Sequence, residues 1–217
     1  MHIPDGLLSL PTLAVTGAAS VGGIGTAVKK TKEQLDDHKI PLLGVMGAFI
    51  FAAQMINFPV GMGTSGHLIG AFFASILLGP WASALVLSAI LIIQSFFFGD
   101  GGVLALGANI FNMAVIANFS GYYLYQLFKR NERGYSSSGI VAGGCISVVA
   151  AALAAAVEIF LSRRSELMIV LPPMLFWHII IGIGEGLITL FLISYIAKVR
   201  SDLLLQPVVN KEGHHGK

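Results

Sequence analysis

Long apolar runs, separated by short polar breaks or by glycine and proline, organise this chain. A helix needs ~20 mostly apolar residues to cross the hydrocarbon of a bilayer. Stretches of that kind run at 7–28, 40–60, 64–79, 80–98, 105–128, 139–161 and 169–197. They predict an all-α membrane protein, a bundle of about seven transmembrane helices. The third run is the weakest, because its opening Thr64-Ser65-Gly66-His67 is small or polar. Only Gly79-Pro80 parts it from the fourth, a turn signal rather than a loop. No internal repeat is visible. Residues 1–217 read as one domain, with a short N-terminal segment at 1–6 and a tail at 198–217.

Composition agrees with the pattern and removes the alternatives. Only 11% of the 217 residues are charged and 55% are apolar, with a mean hydropathy of +0.82. A soluble domain carries ~25% charged residues, so these side chains cannot cover a water-facing surface. Disorder, a disulfide scaffold and a nucleic-acid binder are excluded. Cys145 is the single cysteine and lies inside an apolar run. Glycine makes up 26 of the residues, above the ~7% usage of average proteins, which predicts close helix contacts and some irregular backbone.

The few basic residues set the orientation. With the N-terminus outside, the inward segments 29–39, 79–80, 129–138 and 198–217 carry Lys29, Lys30, Lys32, Lys39, Lys129, Arg130, Arg133, Lys198, Arg200, Lys211 and Lys217. Only Arg163 and Arg164 fall outside, so the positive-inside rule places the N-terminus out and the C-terminus in the cytoplasm. The first run is no signal peptide, since Met1-His2-Ile3-Pro4-Asp5-Gly6 has no positive start and the run is too long.

His2 is the most informative residue. Bacterial processing spares an initiator methionine that precedes a residue as large as histidine, which leaves a free amine on Met1. That amine, the backbone nitrogen of His2 and its imidazole can close fused chelate rings on one metal ion. Unperturbed amine and imidazole groups titrate at ~7.7–8.0 and ~6.5, so a metal ion displaces their protons easily at neutral pH. Displacing the peptide proton needs a late divalent ion that favours planar nitrogen fields, Ni(II) or Cu(II). Three nitrogens leave one corner open. His67, in Gly61-Met62-Gly63-Thr64-Ser65-Gly66-His67-Leu68-Ile69-Gly70, stands on the same outer side and is the candidate for it. Glycine-rich backbone at membrane depth persists only where protein or water satisfies it, so this segment is expected to line a cavity. Two plainer readings stand beside the chelate: His2 as a frayed, exposed terminus, and His67 as an interfacial histidine bonded to a carbonyl.

Ionisable groups inside spans mark function by default. His178 and Glu185 share one face of the last run, as a metal path, as support for a metal ligand, or as interhelical hydrogen bonds that fix packing. Glu158 is expected to pair with Arg163 or Arg164. The Gly-rich segment from Phe98 to Asn109 suggests a loop folded back over the bundle. Asn109 and Asn112, three residues apart, face the N-terminal segment and its metal or another helix. With Asp5 and His178 they are the candidates for orienting metal ligands without touching the ion. Met46, Met55, Met62 and Met113 read as core filler, and His214-His215 as part of a solvated tail. Gly44, Ala48 and Ala52 form a small-residue stripe that lets another helix approach, inside the bundle or from a partner. No phosphate-binding loop, no His-Glu-x-x-His and no Gly-x-Ser-x-Gly occurs, so neither ATP use nor hydrolysis has support.

Met1-His2-Ile3-Pro4-Asp5-Gly6, Gly66-His67-Leu68-Ile69-Gly70 and Gly107-Ala108-Asn109-Ile110-Phe111-Asn112-Met113 together resemble the CbiM/NikM family, over essentially the whole chain. These are the substrate-binding (S) subunits of energy-coupling-factor (ECF) transporters for cobalt and nickel. The resemblance implies metal ligation by Met1, His2 and His67, an inserted N-terminus, and a coupling stripe at Ala48 and Ala52. It also implies a T-type transmembrane subunit and cytoplasmic ATPase subunits, which supply the ATP chemistry missing here. A small accessory membrane subunit is expected to be a separate chain. The expected activity is capture of Ni(II), or else Co(II) for cobalamin biosynthesis, in the cytoplasmic membrane of a bacterium or archaeon. The chain is then no enzyme, has no organic cofactor and binds no nucleic acid. The rivals are a stand-alone divalent-cation channel or secondary transporter, and an intramembrane enzyme using a metal-activated water.

Overall fold

The computed structural model describes residues 1–34, 40–61, 64–128 and 136–204. Met62, His214, His215, Lys39, Lys129, Arg130, Arg133, Lys211 and Lys217 lie outside the described residues. The helices follow the apolar runs: α1 (Leu10–Gln34), α2 (Ile40–Gln54), α3 (Ala71–Leu78), α4 (Pro80–Phe98), α5 (106–128), α6 (Ser137–Leu161) and α7 (Leu167–Val199). The last turn of α4, Gln94–Phe98, and the middle of α5, Phe111–Ala117, are wound more loosely with π geometry. Such turns shift the register of every later side chain and are frequent at functional sites.

Two expectations need correction. The third run is not a membrane-crossing helix. Gly70 at φ 72° opens α3 and Gly79 at φ 83° closes it after eight residues. Eight residues rise only ~12 Å, under half the hydrocarbon thickness of ~30 Å. The second run also stops early, at Gln54, and a two-stranded antiparallel hairpin takes over, β1 (Phe58–Gly61) with β2 (Thr64–Gly66). The fold is therefore helical with one small hairpin rather than wholly α. Among the described residues, α1, α4, α6 and α7 are long and apolar enough to span a bilayer, and α2 is a shorter apolar helix.

Packing explains why the chain needs so much glycine. The α6–α7 pair is the most extensive helix contact, and α5 lies along α6. A Cβ on Gly144 of α6 would stand 2.5 Å from the Cα of Gly186 on α7, so the two backbones touch there. This is the small-residue route to helix association inside a bilayer, where no hydrophobic force drives helices together. Phe72, Leu77, Leu87, Leu91, Met113, Ile140, Ile159 and Met174 fill the interior. Val21, Phe97, Leu127 and Phe191 point outward on long helices, a surface suited to lipid and not to water.

Candidate metal centre

The N-terminal segment has no regular structure, yet it is among the best-buried parts of the molecule. Met1 is 1% exposed, His2 4% and Ile3 0%. Buried irregular backbone must find its hydrogen bonds elsewhere, and side chains from distant helices supply them. The Asn109 carboxamide grips Ile3 at both groups: its Oδ1 accepts from the Ile3 amide at 2.8 Å and its Nδ2 donates to the Ile3 carbonyl at 3.1 Å. Gly102 N–H donates to the same carbonyl at 3.0 Å. The Asp5 carboxylate accepts from the amides of Val103, Leu104 and Ala105, just ahead of α5. So the Gly99–Ala105 loop does fold back over the N-terminal segment. Gly101, at φ 90°, lets it pass so close that an added Cβ would lie 3.1 Å from the His2 ring.

Two nitrogens of the N-terminal segment converge on one point. The Met1 amine donates to Ser65 Oγ at 3.1 Å and the His2 amide donates to the same oxygen at 3.2 Å. His2 Nε2 donates to Gln94 Oε1 at 3.0 Å. A carbonyl oxygen can only accept, so the hydrogen sits on Nε2 and Nδ1 keeps a bare lone pair. Asp100 Oδ1 lies 3.2 Å from that Nδ1, off the hydrogen-bond direction. His67 has the opposite tautomer. Its Nδ1 donates to the Leu68 carbonyl at 2.8 Å, and its buried Nε2 has no hydrogen-bond partner. The two imidazoles stack with centroids 4.6 Å apart.

Burial sets the protonation of this cluster. The Met1 amine is held well below its ordinary value of 8.0, chiefly by loss of water and partly offset by Asp100. Burial, with the neighbouring amine adding to it, pushes His2 down to about 3. The Asp100 carboxyl is pushed up by burial. Both nitrogen groups therefore stand neutral, with lone pairs free at neutral pH. Among the described residues no three His, Cys, Asp or Glu side chains gather into a metal site. Met1, His2 and His67 do bring a terminal amine, a backbone amide and two imidazoles close together.

The remaining candidates divide. His178 is fully buried, with Nδ1 donating to the Met174 carbonyl at 2.7 Å and Nε2 unpartnered. It does not bond Glu185, which instead accepts from the amides of Ile69 and Gly70. Asn112 turns away from the N-terminal segment and donates to Glu158 at 2.8 Å. Glu158 makes no ion pair with Arg163 or Arg164 among the described residues. Gly44, Ala48 and Ala52 line an exposed face of α2. Met46 and Met113 are buried core, as expected, and Met55 is exposed. Sequence reasoning missed Ser65, Gln94, Asp100 and Gln54. The two glutamines carried one signal, a lone carboxamide inside an apolar run, and both are fully buried.

The model of the family described as "CbiM: Cobalt uptake substrate-specific transmembrane region" matches residues 2–203. The chain belongs to the CbiM family. A relative of this CbiM-family protein from Archaeoglobus fulgidus, carrying the NikMN nickel-transport name, is 41% identical over 208 residues, covering 95% of this chain and 68% of that protein. The cobalt transport protein CbiM of Geobacter sulfurreducens is 28% identical over 226 residues, covering 100% of this chain and 65% of its own length. A crystal structure of a truncated transition metal transporter superposes with a TM-score of 0.86 at 39% identity, over 92% of this chain and 99% of that one.

Proposed function

We propose that this CbiM-family protein captures Ni(II) from outside the cell as the S component of an ECF-type uptake transporter. The amine of Met1, the amide nitrogen and Nδ1 of His2, and Nε2 of His67 hold the ion. One observation carries the reading: His2 Nδ1 and His67 Nε2 are buried bare lone pairs on stacked rings, beside an amine and an amide aimed at one point. The planar nitrogen set favours nickel over zinc, whose usual geometry is tetrahedral. Co(II) is the second reading, favoured by the cobalt uptake named for the family.

The outward N-terminus rests on the distribution of basic residues. A T-type transmembrane subunit and cytoplasmic ATPases complete the transporter in the cytoplasmic membrane, and the exposed α2 stripe of Gly44, Ala48 and Ala52 is the surface offered to them. This chain itself carries out no chemical reaction. His2→Ala tests the reading, because it removes the imidazole arm of the fused chelate while leaving the Met1 amine and His67 in place. Nickel affinity should fall at least a hundredfold by titration of the purified chain. Unchanged affinity would refute the chelate.

A further inference from the structure

The stretch that carries His67, residues 67–70, is irregular, and two helices hold it through side chains. The Ile69 amide donates to Glu185 Oε2 at 2.6 Å and the Gly70 amide to Glu185 Oε1 at 3.0 Å. Gln54 Nε2 donates to the Ile69 carbonyl at 2.7 Å. Both backbone groups of Ile69 are thus taken by side chains, one from α7 and one from α2, and Gln54, Ile69 and Glu185 are all buried. The platform under Glu185 is rigid. On one side of it an added Cβ on Gly182 would stand 3.0 Å from the Cα of Cys145, and on the other Gly186 meets Val141 and Gly144 of α6. Besides its stack on the His2 ring, His67 is held by the Nδ1 bond to Leu68, its own neighbour. The height and direction of Nε2 therefore follow from where residues 68–70 are pinned.

We infer that Glu185 is a positioning residue for His67, with Gln54 as its counterpart on the other side of the loop. The inference rests on the ligand set proposed above. A metal ligand set ~1 Å too loose no longer serves a planar site, and groups that orient ligands typically change metal affinity 10- to 100-fold when lost. Glu185→Gln keeps size and one acceptor but loses one of the two amide bonds. Glu185 also fixes the two residues just ahead of α3, so a stability change alone does not distinguish the roles. A double-mutant cycle does.

The experiment is Ni(II) titration of the purified full chain bearing His67→Ala, Glu185→Gln, or both, with Thr189→Val as a buried control on the same helix. Glu185→Gln should weaken nickel at least tenfold alone and less than twofold when His67 is already alanine. Its nickel absorption band should move toward that of His67→Ala, as water replaces the fourth nitrogen. Thr189→Val should bind as the parent does. Equal losses in both backgrounds, or no loss in the parent, overturn the positioning role. If Glu185→Gln does not accumulate folded, Gln54→Leu is read through the same cycle with the same expectation. Native-like affinity in His67→Ala alone overturns the ligand set itself and this role with it. A weakened His67→Ala with additive Glu185→Gln overturns only the role.

Discussion

The α6–α7 pair and the candidate metal centre are both buried, and they are held in opposite ways. Between α6 and α7, Gly144 meets the backbone of Gly186, and the helices satisfy their own hydrogen bonds. At the candidate metal centre, short unwound segments are fixed by single side chains from far along the chain: Asn109 to Ile3, Gln94 to His2, Glu185 to Ile69. One region is specified by shape and the other by hydrogen-bond partners. A scaffold built from backbone contact can be rigid without offering any group to a cation. The site has to leave nitrogens bare, and it spends long-range carboxamides and carboxylates to keep them in place.

The largest break in that comparison is Gly144→Leu. It drives a side chain into the Gly186 backbone, where the flanking helices cannot give. Overpacking costs ~1–3 kcal/mol and occasionally more, and here loss of folded protein is expected, read as a collapsed melting temperature in detergent. Asn109→Leu attacks the other region. It strands both backbone groups of Ile3, so the N-terminal segment should leave the bundle. Nickel affinity is expected to drop ~10- to 100-fold, with the melting temperature of the metal-free helices little changed.

Acid separates the two regions more gently. Met1 and His2 have docked pKa values below their free ones of 8.0 and 6.5, with His2 near about 3. A docked state that binds fewer protons strengthens as pH rises. Docking is therefore at full strength above pH ~8 and weakens as pH falls through the free values, by roughly tenfold per unit for each group. Protection factors at the Ile3 and Gly102 amides should fall between pH 8 and 5, while those of α6 and α7 stay high. Ala48→Leu is the smallest change. The residue lies on the exposed α2 face, so stability should stay within ~0.5 kcal/mol and nickel affinity should not move, while co-purification with partner subunits is lost.

The same contrast explains what could be read from the sequence. Apolar length marks α1, α4, α6 and α7, because helices in lipid satisfy their own backbone. It misplaces the third run, where Gly70 and Gly79 take positive φ and cut α3 to eight residues. The π turns of α4 and α5 leave no periodic trace, although Gln94 and Asn112 lie in them. Met1, His2 and His67 could be singled out as candidate ligands, since a set of nitrogens at a chain end is a local feature of the sequence. Gln94, Asp100 and Ser65 were not, because each meets its partner 63 to 98 positions away in the chain. A single polar residue in an apolar run does not name its partner.

In the proposed site, four nitrogens from Met1, His2 and His67 close a plane around the ion. Magnetic and absorption measurements on the nickel-loaded, purified protein test it most directly. The nickel complex should be yellow and diamagnetic, with a band that is lost in His2→Ala. A paramagnetic, six-coordinate nickel spectrum that survives His2→Ala would contradict it.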